Sequence, residues 1–367
     1  MTGVGRIERY VIGYMLLGLI TALAIISAVV ILIQFVELTS QVGTRADVGA
    51  NSILELTFYR VPAIIQILLP ICFLFGGIGA FVVLNRRSEL VAMRAAGVSA
   101  WRFILPSAGM SVLLGLFAVG GLNPLAASLS AKFEIERSRL MENYLGDQPK
   151  DIWLRQGDEV SQIVIHAKAR DTRHGVVTLR GVSLFIYEKN ARGAPEFRRR
   201  LEAGEATLMP GFWRLKDVRE ATAGDSSIRS DNLSIRSTLD AEAAMERLAA
   251  PDAIAFWRLP KAIQLTEQAG FSASGYRLRF QQLLATPLLF AAMSILAAAF
   301  SLRLTRLGGL AGLAGAGVAL GFVLFFFNQF SGALAKADII PLFAAAWAPA
   351  LVSLLAGVTL LCYTEDG

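Results

Sequence analysis

The chain has 367 residues, 54% of them hydrophobic and only 17% charged, an apolar share above the roughly 45–50% of soluble domains. The formal net charge is +6, yet residues 125–275 hold 22 Lys and Arg against 21 Asp and Glu. The basic excess therefore sits at the ends of apolar stretches, which excludes the basic folded face that nucleic-acid binding requires.

Stretches free of charged residues run from Tyr10 to Val36, Val61 to Leu84, Phe103 to Leu122, Phe280 to Leu302, Leu307 to Ala335 and Ile339 to Thr364. Each reaches the roughly 20 residues that a helix needs to cross a hydrocarbon core, so six transmembrane helices are expected. The first is much longer than the ~7–15 apolar residues of a signal peptide, and no A-x-A-type cleavage site follows it. It is expected to stay in the mature protein.

With the spans alternating, Arg6, Arg9, Arg86, Arg87, Arg94, Arg102, Arg303 and Arg306 fall on one side, against Arg45 and Lys336 in the short loops opposite. Positive charge marks the cytoplasmic side. Both termini are then cytoplasmic and residues 125–275 lie outside. The expected domains are 1–124 with three spans, 125–275 outside the membrane, and 276–367 with three more spans. Cys72 and Cys362 both lie in spans, so no disulfide staples the outer domain.

Between the second and third spans stands Asn85-Arg86-Arg87-Ser88-Glu89-Leu90-Val91-Ala92-Met93-Arg94-Ala95-Ala96-Gly97-Val98-Ser99. Ser88 suits an N-cap, Glu89 the positive end of the helix dipole, and Gly97 the residue after a helix end. A short separate helix is expected within 86–97, with Glu89, Leu90 and Met93 on one face as an apolar knob beside a carboxylate. It either docks into a partner or lies on lipid headgroups.

The third span is expected to continue as a helix from Leu125 to Leu145, stopped by Gly146 and Pro149. Beyond it, 151–156, 160–169, 176–187, 199–209, 212–218 and 226–238 are short, rich in Val, Ile, Thr and aromatics, and separated by turn residues. That spacing predicts an all-β antiparallel sandwich or jelly-roll. In 160–169 both faces are partly apolar, which suits a sandwich core strand or an open sheet that accepts acyl chains. Segments 241–248 and 261–269 read as helices that lead back to the fourth span.

The fifth span carries Gly308, Gly309, Gly312, Gly315, Gly317 and Gly321, with small-x-x-x-small pairs at 308/312 and 317/321. Such residues let helix backbones approach closely, either in static packing or as a sliding surface. Asn328 and Gln329 suit interhelical hydrogen bonding.

Catalytic signals are weak. The sequence has no Gly-Lys dipeptide and hence no P-loop, so any ATP and Mg²⁺ belong to a partner and no cofactor is expected in this chain. His166 and His174 lie far from any cysteine, and no metal site is expected. The spans hold no charged residue between their ends, unlike ion-coupled transporters. The chain reads as a transport permease rather than an enzyme. A lipid-modifying membrane enzyme is the less favoured class, because the sequence shows no buried acid and base pair.

Arg87-Ser88-Glu89-Leu90-Val91-x-Met93-x-Ala95-x-Gly97 resembles the coupling-helix signature of the LptF/LptG family, the permease subunits of the lipopolysaccharide exporter. Tyr276-Arg277-Leu278, Pro287-Leu288, Gly321-Phe322-Val323 and Asn328-Gln329 occur at similar places in that family. Phe35-Val36-Glu37 brings the chain nearer its LptG branch. The resemblance spans essentially the whole chain, and it implies six transmembrane helices with an inserted, jelly-roll-like periplasmic domain in the inner membrane of a Gram-negative bacterium.

It also implies an ABC transporter that extracts lipopolysaccharide and passes it to a periplasmic bridge. The implied partners are an LptB-like ATPase dimer, an LptF-like sister permease, LptC-like and LptA-like periplasmic proteins, lipopolysaccharide and membrane lipids. Arg87, Glu89, Leu90, Met93, Arg94 and Gly97 would contact the ATPase. Ile33 and Val36 of the first span, with Gly312, Gly317 and Gly321 of the fifth, would line a lateral gate. Some relatives carry lysines at the outer end of the first span where this chain has Gln34, Thr39 and Ser40. Arg60, Lys132, Arg137 and Arg139 are the replacement candidates for an anionic headgroup, or are span-end residues that snorkel. Ile163, Ile165, Ile186 and Leu215 would form the lipid slide of the outer domain. A scaffold subunit that relays ATPase motion without itself moving lipid is the alternative.

Overall fold

This computed structural model describes residues 5–42, 49–142, 152–157, 161–173, 176–189, 195–209, 211–222, 228–237, 251–268, 272–304 and 310–365. The chain forms two compact units. One, Met1–Glu136 with Pro251–Leu259 and Ser274–Gly367, is helical; the other, Arg137–Ala250 with Pro260–Ala273, holds the sheet. The expected helix at 241–248 and the stop at Gly146 and Pro149 lie outside the described residues.

The helical unit contains α1 (Arg6–Val42), α2 (Ala50–Arg86), the short α3 (Glu89–Ala95), α4 (Ala100–Phe117) and α5 (Asn123–Glu142). After α6 (Leu259–Gln268), which falls in the sheet unit but for Leu259, the helical unit continues with α7 (Ser274–Leu304), α8 (Leu310–Lys336) and α9 (Leu342–Glu365). Among the described residues six helical stretches are long and apolar enough to cross a membrane, with α4 and α5 sharing one. Several outrun the charge-free stretches: α2 begins at Ala50, well before Val61. Charged side chains at a span end reach the polar headgroup layer, so they do not end the helix.

The bundle packs around α7, whose apolar window is 72% buried, against 11% for α1 and 22% for α8. Phe290 of α7 stacks on Phe73 of α2 with centroids 4.3 Å apart. Ser294 accepts a 2.9 Å hydrogen bond from Ser111 of α4. A Cβ on Gly115 of α4 would stand 2.5 Å from Pro287 Cα, and one on Gly76 of α2 would stand 2.7 Å from the backbone of Leu19 in α1. Backbones in contact leave no room even for a methyl group. This is how helices associate where lipid is as apolar as the side chains.

Between α4 and α5 the helix widens into one π turn, Ala118–Leu122. The cause is Pro124, which has no N–H to give the Gly120 carbonyl and whose ring would strike it. Trp257 fills the deficit by donating its indole N–H to Gly120 O at 3.2 Å. Asn123, 1% exposed, accepts from the Phe256 N–H at 2.7 Å and donates to Gln66 Oε1 of α2 at 3.3 Å. Phe256 stacks on Phe280 at 5.3 Å. The returning segment 251–259 is thus fastened to the π turn of the third span.

The sheet has six strands: β1 (Ile152–Gly157), β2 (Ser161–Arg173), β3 (Val176–Lys189), β4 (Pro195–Met209), β5 (Phe212–Thr222) and β6 (Ile228–Arg236). They pair antiparallel in the order β1-β2-β3-β4-β5-β6. An inserted all-β antiparallel domain is what the sequence predicts. Its connectivity is that of a meander in one sheet, without a Greek-key crossover among the described strands.

A single sheet closes its own core here through a crease. On β3 the buried side chains are Val177 and Leu179, then Val182, Leu184 and Ile186; on β4 they are Leu201 and Ala203, then Ala206 and Leu208; on β5 they are Trp213 and Leu215, then Val218. The inward phase slips by one residue on all three strands at one transverse row. Gly181 and Asp217 stand in that row with φ of +59° and +52°, and the ladder skips the row on β3, β4 and β5. Because neighbouring strands slip together, pairing survives and the sheet bends. Its first and last strands meet, with Gln156 of β1 donating to Arg236 O of β6 at 3.3 Å and accepting from Trp213 at 3.1 Å and Ser237 at 2.8 Å.

Asn123→Ala removes two buried hydrogen bonds and leaves their partners unsatisfied. It is expected to lower unfolding stability by about 1–3 kcal/mol, read as an earlier thermal midpoint in detergent with the sheet signal unchanged.

Candidate functional site

The turn from α2 to α3 is made by Ser88 in the left-handed region, with φ 58°. Ser88 N–H bonds Asn85 O at 2.9 Å and closes α2, while Ser88 O accepts from Ala92 N–H at 2.9 Å and opens α3. Serving both helices forces positive φ, so Ser88 stands at the N-cap but its side chain makes no cap bond. The predicted side-chain cap is therefore absent there, whereas Ser99 does cap α4, accepting from Trp101 N–H at 3.3 Å. The end of α3 matches the sequence expectation. Gly97 has φ +79°, and Val98 N–H to Met93 O at 3.0 Å with Gly97 N–H to Arg94 O at 2.9 Å complete a Schellman motif.

Leu90 departs from the expected knob. It is 1% exposed and belongs to the chain's own core with Leu84 and Phe103. Met93 packs partly against the same cluster. Leu90 is the anchor of α3, and the apolar group presented outward is Val91, 59% exposed, flanked by exposed Ala92, Ala95 and Ala96. The helical wheel alone could not say which apolar edge meets the bundle, since Leu90 and Val91 are adjacent.

Glu89 is held from within the chain. Its Oε1 accepts from the Tyr10 hydroxyl of α1 at 3.0 Å and lies 4.0 Å from Arg87 Nη1. Arg87 in turn donates to Tyr14 Oη at 2.7 Å and lies over the Tyr14 ring, 5.6 Å from its centroid. The Tyr10 and Tyr14 rings meet edge to face at 5.0 Å. Nearby, Arg102 of α4 lies 3.7 Å from Glu8 of α1. Tyr10 and Tyr14 escaped the sequence reading because they count as apolar residues within a span; their spacing of four, on one helix face, was the available signal.

The proposed gate residues separate into two groups. Ile33 and Val36 are 56% and 58% exposed along α1. Gly317 and Gly321 are buried and face α2, where an added Cβ would meet Ile78 Cδ1 and Phe75 Cζ, each at 3.1 Å. They serve close packing inside the chain and form no outward sliding face. The surroundings of Gly312 lie outside the described residues. The outward face of α8 is a ladder of Phe322, Phe326 and Phe330, stacked at 6.4 and 6.0 Å. Asn328 borders an apolar cavity lined also by Pro70, Leu289, Met293 and Phe325, while interhelical hydrogen bonds come from other residues, such as Trp347 to Gln281 at 3.1 Å.

Of the headgroup candidates, Arg60 lies over the Phe133 ring at 5.3 Å from its centroid, Lys132 is exposed and Arg137 half-buried. The side chain of Arg139 lies outside the described residues. The sequence reading missed Arg279 on α7, whose Nε is 3.6 Å from Asp252. In the sheet unit Ile163 pairs directly with Ile186, and Leu215 with Ala206 and Leu233. Ile163, Ile165, Ile186 and Leu215 share the closed core, none more than 8% exposed, so the expected open, lipid-holding interior is shut in this conformation. His166 lies against Trp153 at 4.4 Å, and no metal-holding group of His, Cys, Asp and Glu occurs among the described residues.

Six apolar spans, five of them gathered about the tightly packed α7, an exposed seven-residue helix between two of them and an inserted β domain define a polytopic membrane permease. The chain belongs to the family of the lipopolysaccharide export system permease LptF/LptG, whose model matches residues 9–363. It is similar to the lipopolysaccharide export system permease protein LptG of Escherichia coli strain K12 and of E. coli O6:H1. Each is 22% identical over 350 residues, covering 92% of this chain and 92% of the relative.

Gly317→Leu and Gly321→Leu are expected to wedge α8 away from α2 and cost about 1–3 kcal/mol each, while the Ala variants cost far less because only side-chain ends must yield. Thermal midpoints of the purified variants check this; a Leu tolerated like Ala would place these positions toward lipid.

Proposed function

We propose that this chain is the permease subunit of an ABC transporter that extracts lipopolysaccharide from the bacterial inner membrane and delivers it toward a periplasmic bridge. Its termini and α3 lie in the cytoplasm and its sheet unit in the periplasm, a placement supported by the arginines at the span ends. The reading rests above all on α3. Anchored by Leu90 and closed at Gly97, it presents Val91, Ala92 and Ala95 with Glu89 and Arg94, a small apolar surface edged by charge that suits the groove of a separate LptB-like ATPase.

An LptF-like sister permease completes the lipid path. The barely covered α1, with Ile33 and Val36, and the phenylalanine face of α8 border the lateral gate between the two permeases. Lys132 and the arginines near it meet the lipid phosphates. Acyl chains then pass onto the sheet unit, toward LptC-like and LptA-like proteins, when the creased sheet opens at Ile163, Ile165, Ile186 and Leu215, since chains leaving a membrane must stay covered from water.

Glu89→Lys is expected to leave the protein inserted and to lower both copurification of the ATPase and lipid export by about tenfold or more, because a carboxylate facing a cationic groove becomes a repelling charge. Full export with normal assembly would remove Glu89 from the coupling role. A photocrosslinker at Ile163 or Ile186 is expected to label lipopolysaccharide only during ATP turnover; labelling without ATP would mean that the sheet interior is open at rest.

A further inference from the structure

We infer that Tyr10 is a positioning residue that makes the foot of α1 and the helix α3 move as one body. The inference builds on the reading of α3 as the ATPase-contacting helix. The Tyr10 hydroxyl donates to Glu89 Oε1 at 3.0 Å, a bond between residues 79 apart in sequence that joins the first span to the segment after the second. It is one of two ties. Tyr14, one turn further along α1, accepts from Arg87 at 2.7 Å, and the guanidinium covers its ring. Arg87 and Glu89 flank Ser88, whose positive φ fixes their spacing at the α2 to α3 corner. The two tyrosines therefore grip both sides of that corner.

The tie has a mechanical consequence because α1 is the least covered span, with 11% of its apolar window buried. One turn beyond Tyr14 it meets α2 backbone to backbone at Gly18 and Gly76, a contact about which two smooth helices can pivot. The polar bonds at its first turns restrict that pivot. Val11 and Met15, buried one residue on from each tyrosine, join the core that also holds Leu90, so the foot of α1 and α3 share apolar packing beneath the polar bonds. A displacement of α3 by a partner is carried to α1 through Glu89 and Tyr10, and from there along the rigid helix to Ile33 and Val36. Glu89 thus has two tasks, one toward the partner and one toward α1, and the second needs Tyr10.

Tyr10→Phe keeps the ring and removes only the hydroxyl. In the reconstituted exporter it is expected to retain ATPase copurification and ATP turnover within about twofold while lipid export falls about fivefold, the scale of losing one hydrogen bond. Spin labels at Arg9→Cys and Ala92→Cys, both exposed positions, should report a narrow distance distribution that stays fixed through the nucleotide cycle. Tyr10→Phe should broaden it. Export equal to wild type, or an unchanged label distribution, overturns the inference. So does a parallel loss of ATPase association and export, which would make Tyr10 part of the docking surface. Glu89→Lys with Tyr10 intact tests the docking reading separately, through ATPase copurification.

Discussion

In hydrocarbon a backbone polar group has no water to turn to, and every carbonyl must find its partner within the protein. That constraint makes each span a continuous helix and gives weight to the place where Pro124 takes its usual partner from a carbonyl. The Gly120 carbonyl, orphaned by the proline, takes the indole N–H of Trp257, and Asn123 takes the next amide. A local defect thereby becomes the clasp that ties the segment returning from the inserted domain to the third span. The same constraint explains the close approaches at Gly76 and Gly115: with no hydrophobic gain in leaving lipid, contact itself must hold the helices together.

At the other end of the second span the chemistry changes to charged groups that meet water. Glu89, Arg87, Tyr10 and Tyr14 form a linked set around a corner that Ser88 sets by its left-handed backbone. Surface ion pairs of this kind contribute little to stability. Their weight lies in geometry, because they fix how a seven-residue helix sits against the foot of the least covered span. Burial of Leu90 fixes its rotation as well, leaving the Val91 side outward.

The sheet unit meets a different demand. One antiparallel meander has a single apolar face, which it must cover. A slip of the inward phase at Gly181 and Asp217, shared by neighbouring strands, bends the sheet until its two edges are bridged at Gln156. The core so closed includes the fully buried Trp213, with its indole N–H satisfied by Gln156.

Much of this was legible in the residues. Span number follows from runs of apolar residues, because length in hydrocarbon is a one-dimensional property. The six strands follow from alternation and turn residues, and the stop of α3 from Gly97. The family motif around Glu89 is likewise contiguous. Tertiary structure decided what depends on partners distant in sequence. Leu90 turned inward although the wheel allowed it outward, Gly317 and Gly321 turned to α2, and Tyr10 and Tyr14 joined the corner between α2 and α3 although their spacing alone named no partner. The crease could not be read either, since a one-residue slip is invisible on a single strand and acquires meaning only when β3, β4 and β5 slip in the same row. Local pattern determines which element forms; which face it buries is settled by the atoms that come to lie against it.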